Sequence, residues 1–275
     1  MSCALFDTHA HLDDPQYADD RAEVLKRAFE AGVAYIVNVG FSPERIQSTL
    51  DLTEEMFPFP TPRLFAAVGI HPTEAALFNE EVRAYLERAA RHPKVRAIGE
   101  IGLDYYWDTF PRTLQQDVFE KQLSLAKALH LPVVIHNRDA HADLLMVLEK
   151  HAPYPQGGVM HAFSGDDVFL REALSLGFYI SFGGPVTFKN APSLRALVPL
   201  VPDDRLLIET DAPYLSPHPY RGKRNESARV RLIAEKIAEL KDMSYDELAC
   251  LTTRNAKYLF KIDAAEDDSR TPQTI

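Results

Sequence analysis

Short apolar, β-branched runs alternate with longer amphipathic stretches from one end of this 275-residue chain to the other. That alternation predicts a parallel sheet covered by helices. The runs predict strands over 5–7, 35–39, 64–68, 95–99, 133–136, 158–161, 179–182 and 206–209. The amphipathic stretches predict helices near 19–31, 43–55, 80–91, 112–129, 140–150, 166–176 and 193–200, with two more near 227–240 and 245–260. Eight strand-and-helix units in about 250 residues have the dimensions of an α/β (β/α)8 TIM-type barrel, expected here as a single domain over residues 1–263. An open doubly wound sheet is the alternative, disfavoured by the count of eight similar units. Gly69, Gly99, Gly102 and the pair Gly183 and Gly184 stand singly or in twos after strands, as turn residues do, and no phosphate-cradling glycine loop is present. Residues 264–275, with Glu266, Asp267 and Asp268 and few apolar side chains, read as a solvated, disordered tail.

Composition removes several function classes. No run approaches the ~18 apolar residues that span a bilayer. The first residues carry no positive region, and Asp7 breaks the short apolar stretch, so a cytoplasmic location is expected. Cys3 and Cys250 read as two reduced, buried small side chains. A formal charge of −10 disfavours a broad grip on nucleic acid but leaves room for a local basic patch.

In a barrel, functional groups collect at the carboxyl ends of the strands. Strand 1 runs to His9 and His11, two residues apart and so on one face. Strand 4 ends at Glu100, strand 5 at His136 and strand 6 at His161, while strand 8 runs into Asp211. A lone His-x-His is ordinary; four histidines and two carboxylates converging on one face make a site for two divalent metals, with Glu100 placed to bridge. Asp211 is the expected general base, because a carboxylate that touches both a metal and its water can take the water's proton. His71, in Gly-Ile-His-Pro after strand 3, is a candidate for substrate contact. Asp104 is assigned to loop structure. His92, His130 and His151 fall near helix ends and receive no functional role, His141 is expected to face solvent, and His218 is left undecided.

The series Phe6-Asp7-Thr8-His9-Ala10-His11, Gly69-Ile70-His71-Pro72, Gly99-Glu100-Ile101-Gly102-Leu103-Asp104, the strand ending in His136, His161-Ala162-Phe163-Ser164-Gly165 and Glu209-Thr210-Asp211-Ala212-Pro213-Tyr214 resembles the TatD family of metal-dependent deoxyribonucleases, among the amidohydrolase-like barrels. The likeness runs collinearly from about residue 4 to residue 260. It implies a metal-dependent phosphodiesterase acting on DNA, often from the 3′ end. Carried over by position, it implies that His9, His11 and Asp211 hold one metal, Glu100 bridges, and His136 and His161 hold the second, with Glu209 an acidic neighbour. Two departures are visible: Ser227 stands where proline is usual, and Ala10 where cysteine is frequent. Many amidohydrolase-like barrels bridge their metals with a carboxylated lysine; Glu100, with no lysine at that strand end, resembles the nuclease branch.

The expected activity is therefore cleavage of DNA phosphodiesters on single strands with two divalent ions (zinc, magnesium or manganese). Neither a membrane nor an obligate protein partner is expected. Arg221, Lys223 and Arg224 after strand 8 are expected to bind substrate phosphate, with Lys189 adding positive charge, and a solvated loop is the alternative. Tyr105, Tyr106 and Trp107 either stack an unpaired base or pack as a hydrophobic lid. The alternative enzyme is a hydrolase of an amide, lactone or ester, since the same metal pair polarises a carbonyl. A third reading, a binding scaffold with a structural metal, is opposed by the intact ligand set.

Overall fold

The computed structural model describes residues 3–107 and 109–262, so the expected tail lies outside the described residues. Eight parallel strands follow one another in chain order: β1 (Leu5–Ala10), β2 (Val33–Gly40), β3 (Arg63–Val68), β4 (Val95–Asp104), β5 (Val133–Arg138), β6 (Gly158–Met160), β7 (Tyr179–Phe182) and β8 (Leu206–Ile208). The first seven crossovers carry α1 (Arg21–Glu30), α2 (Pro43–Glu54), α3 (Glu80–Ala89), α4 (Arg112–Leu129), α5 (His141–Lys150), α6 (Asp167–Ser175) and α7 (Pro192–Leu197). Two helices, α8 (Val230–Leu240) and α9 (Tyr245–Leu259), follow β8. The expected TIM-type barrel is therefore the fold found.

Local chemistry fixes the helix boundaries. Ser42 caps α2 by accepting from the Arg45 amide, with Pro43 in the first turn where its missing N–H costs nothing. Ser244 and Glu247 close a reciprocal capping box on α9, and α4 stops at His130 in the left-handed region. Alternate strand residues divide the core in two. Phe6, Val37, Val39, Phe65, Ala97, Val134, Val159 and Leu207 fill the barrel, closed at one end by Leu259, Phe260 and Ile262 from α9 and just beyond it. The larger cluster, including Ile36, Val68, Ile98, Ile135, Ile180 and Ile208, lies between the sheet and its helices. Each such fully buried side chain contributes roughly 1.5–3 kcal/mol.

Two features of the barrel create the site. The ring closes through a bridge between Ala10 and Ala212: the Asp211 amide donates to His9 O (2.9 Å) and the His11 amide to Ala212 O (2.7 Å). That closure sets Asp211 beside the two histidines. Second, β4 does not end at Gly99, where a glycine reads as a turn; it shifts register between Ile98 and Ile101 and pairs with β5 through Asp104. Glu100 therefore sits inside the strand, at an irregularity of the kind that re-aims side chains next to active sites. A Cβ on Gly99 would fall 2.5 Å from Val134 Cβ, so only glycine allows this approach of β4 to β5.

One expectation is corrected outright. Cys3 and Cys250 form a disulfide, with Cα atoms 5.1 Å apart, rather than two reduced thiols. The segment before β1 lies along α9, where Thr253 Oγ1 donates to Ala4 O, and a count of two cysteines cannot reveal that proximity. Among the described residues no helix is long and apolar enough to cross a membrane.

Candidate metal centre and active-site cavity

At the carboxyl end of the strands, a cavity of about 590 Å³ opens over His11, His71, Glu100, His136, His161 and Asp211. Glu100 stands at the centre. Its Oε2 lies 3.5 Å from His9 Nε2, while Oε1 lies 2.7 Å from His136 Nδ1 and 3.2 Å from His161 Nε2. Asp211 Oδ1 is 3.4 Å from His11 Nε2 and 3.7 Å from His9 Nε2, and those two ring nitrogens face each other at 3.2 Å. The six side chains expected as ligands thus meet in one place.

The scaffold fixes the proton on most of these rings. His11 Nδ1 faces the Val39 carbonyl oxygen (2.9 Å), which can only accept, so Nε2 carries the lone pair when the ring is neutral. Glu209 Oε1 lies 2.9 Å from His161 Nδ1, an ion-pair approach without hydrogen-bond geometry, and accepts instead from the Ala162 amide. Asp104 Oδ2 faces His136 Nε2 at 2.9 Å, turning Nδ1 towards Glu100. Such carboxylate and carbonyl partners are what orient metal-ligating imidazoles. His71 is locked the other way: its Nδ1 accepts from the Thr73 amide, so its proton sits on Nε2, 3.7 Å from Glu100 Oε1. It presents a donor to the cavity, not a lone pair.

The residues fit divalent metal. Lone pairs on His9, His11, His136 and His161 face one another and two carboxylates, a donor set that is stable only with positive charge among them. His9 Nδ1 and His161 Nδ1 are both buried without a hydrogen-bond partner, and the two rings stack on each other at 3.7 Å. Three overlapping groups bring ligand atoms within 4.8 Å: His9, His11 and Glu100; His9, His161 and Glu209; and His71, Glu100 and His136. The tautomer of His71 argues against it as a ligand in the third.

Titration follows the same field. Burial alone would lower the imidazoles, but Asp211 outweighs it at His11, Asp104 and Glu100 at His136, and Glu209 with Glu100 most strongly at His161, so all three are raised. At His9, burial and the charge of His161 prevail and lower the ring. Burial and His136 push His71 down to about 3. Burial would raise Glu100, yet His161, His71 and the His136 hydrogen bond hold it well below the usual range.

Other expectations are corrected here. Asp104 is not loop structure alone: Oδ1 accepts from the Tyr106 and Trp107 amides, while Oδ2 orients His136. Arg224 makes a two-pronged ion pair with Asp20, both distances 2.7 Å, and lies over Tyr17. Arg221 stacks on Phe188, and Lys223 lies 6.0 Å from the Tyr220 ring; none of these three, nor Lys189, lines the cavity. His141, expected to face solvent, is half-buried, with its ring stacked on Phe169 at 4.5 Å. Tyr105 bonds Asp143 under an Arg112 cation, apart from its two neighbours.

Several supporting residues escape a reading of strand ends. Gln122 grips the backbone of Ile70 with both ends of its amide, and Gln115 does the same for Asp104. Seven residues apart on α4, they pin the strand ends before His71 and at Asp104. Buried Asn225 donates to Thr210 O and Tyr214 O, and Asp7 accepts from the Thr210 amide and hydroxyl, so the backbone on both sides of Asp211 is held. The glutamine spacing was a usable signal; the partners of Asp7 and Asn225 were not.

Comparison with known proteins agrees with this geometry. Residues 6–261 match the family model described as TatD related DNase. The chain is 49% identical over 259 residues to the uncharacterized metal-dependent hydrolase YabD of Bacillus subtilis, covering 94% of this chain and 100% of that protein. It is 36% identical over 263 residues to the 3′-5′ ssDNA/RNA exonuclease TatD of Pantoea vagans, covering 94% and 100%. The crystal structure of YJJV, a TatD homolog from Escherichia coli, superposes with a TM-score of 0.88 at 34% identity, covering 96% of this chain and 100% of that one. The chain belongs to the TatD family of metal-dependent hydrolases, and its barrel end carries buried histidine and carboxylate clusters able to bind metal.

Proposed function

We propose that this protein hydrolyses phosphodiester bonds at the 3′ ends of single-stranded DNA, using two divalent ions drawn from zinc, magnesium or manganese. The observation that carries the reading is the convergence of four histidines and Asp211 around Glu100, with His11 and His136 locked by the scaffold so that a nitrogen turns inward. The 36%-identical relative named for ssDNA/RNA exonuclease activity supports the substrate class. His9, His11 and Asp211 would hold one ion and His136 and His161 the other, with Glu100 between them. Bound there, such ions lower the pKa of a water towards neutrality and offset charge on phosphoryl oxygens.

Asp211 takes the proton from the attacking water. Burial would raise its carboxyl, but the His11 hydrogen bond and the charges of His161 and His9 hold it below the ordinary range, so it is ionised and able to accept. Neutral His71 offers Nε2–H to a phosphoryl oxygen across the cavity. The test sets metal-loaded protein on 3′-labelled single strands against a panel of esters, lactones and amides. DNA cleavage that is lost, together with bound metal, in the His136→Ala/His161→Ala protein is the expected result. Turnover of a carbonyl substrate with no DNA cleavage would move the function to the amidohydrolase side.

A further inference from the structure

Tyr106 and Trp107 lie two and three residues past the end of β4 and remain 55% and 62% exposed. Isolated exposed aromatics are common and need no explanation. These two are neither isolated nor loose. Their rings meet edge to face at 5.2 Å, and their amides are both tied to Asp104 Oδ1 at 3.0 Å. The Arg138 guanidinium lies 3.8 Å from the centre of the Tyr106 ring and 5.6 Å from that of Trp107. Arg138 ends β5 two residues beyond His136, and its carbonyl accepts from the Tyr105 amide, so turn and strand are joined.

Position gives this cluster its meaning. Trp107 and Arg138 line the same cavity as Glu100, Asp104 and His136, and Arg138 is the single lysine or arginine among the described residues lining it. In a chain of net charge −10, that is where a polyanion finds a cation next to the candidate metal centre. A fixed aromatic edge beside a guanidinium suits a flat, π-faced group carrying a phosphate.

We infer that Trp107, Tyr106 and Arg138 form the subsite that receives the unpaired base beside the scissile phosphodiester, with Arg138 on the adjoining phosphate. The inference rests on the nucleic-acid reading above and adds the residues that set a preference for single strands. A base inside a duplex is already stacked on both faces, so a paired end enters this subsite only after fraying.

Binding to the full-length protein in chelator, where no cleavage occurs, tests the subsite apart from hydrolysis. The probes are a labelled single-stranded oligonucleotide and the same strand with abasic 3′-terminal positions, followed by anisotropy and by emission of Trp107, the only tryptophan in the chain. Expected are quenching by the base-bearing strand, and affinity lower by on the order of 5- to 100-fold both for the abasic strand and for Trp107→Ala, the range of one base–aromatic stack. Trp107→Phe should restore most of the loss at unchanged melting temperature, and Arg138→Ala should reduce the log–log salt slope by ~0.7. Equal affinity for the two strands, or Trp107→Ala binding like the parent, would overturn the subsite while leaving the hydrolysis reading standing. A protein that discriminates base from abasic strand yet cleaves no DNA would keep the subsite and remove that reading.

Discussion

Asp104→Asn tests the site most sharply, because it preserves shape and reverses one proton. In the parent, Oδ1 accepts from the Tyr106 and Trp107 amides and Oδ2 faces His136 Nε2 at 2.9 Å. Burial would raise this carboxyl, but the His136 hydrogen bond and the Trp107 amide keep it low and ionised. An asparagine keeps the two backbone bonds through its oxygen and turns a donor amide towards His136. The ring must then present a lone pair at Nε2, moving its proton to Nδ1, which faces Glu100 Oε1 at 2.7 Å. The nitrogen expected to hold metal becomes a donor to the expected bridge. Loss of such an orienting partner typically weakens metal by ~10- to 100-fold, about 1.4–2.7 kcal/mol. Competition with a chromogenic chelator reads the affinity, and nitrogen shifts of the imidazoles read the tautomer. Parent-like affinity for both ions, with Nε2 of His136 still protonated, would refute the reasoning.

Asp211→Asn should lower kcat by at least ~10² to 10⁴ while weakening DNA binding much less, read by single-turnover cleavage beside anisotropy; near-normal kcat would assign the base elsewhere. Arg224→Ala should leave the salt slope of DNA binding unchanged and cost no more than ~1 kcal/mol in denaturant melts, since its partner Asp20 is 36% exposed. The Arg224 hydrogen bond, with Arg27 behind it, lowers the Asp20 carboxyl, so this contribution is present above the unfolded aspartate value and lost as pH falls through the folded one; the variant should show a smaller acid limb, the part that Arg27 sustains. Gln122→Leu keeps the volume but strips both backbone bonds from Ile70, for a cost of ~1–3 kcal/mol per buried group and a raised KM through His71.

What the sequence makes legible here is whatever repeats along it. Period-2 strands and amphipathic helices identify all eight units, and alternation from Val134 and Val159 inside the barrel carries to His136 and His161; His9 and His11 share a face with each other, but not with interior Phe6, because β1 shifts register between Asp7 and Ala10. Glu100 is found by type although its place is misjudged: a glycine at 99 reads as a turn, whereas it lets β4 press against Val134. What stays hidden depends on neighbours far apart in the chain. Nothing near Arg224 indicates Asp20, about two hundred positions away, so a cluster of three cations reads as a phosphate site although one is already neutralised. The same holds for Cys3 and Cys250.

The locks on the imidazoles lie deepest of all. Val39 O is a backbone atom with no residue signature, and Asp104 has a sufficient local explanation in its turn. Candidate ligands are thus readable one residue at a time, while the protonation of each is a property of pairs. His71 shows why the difference matters for chemistry. By residue type and position it is as good a ligand as His136, whose ring lies 4.3 Å away. The Thr73 amide, two residues on, reverses its tautomer and turns an N–H rather than a lone pair towards the cavity.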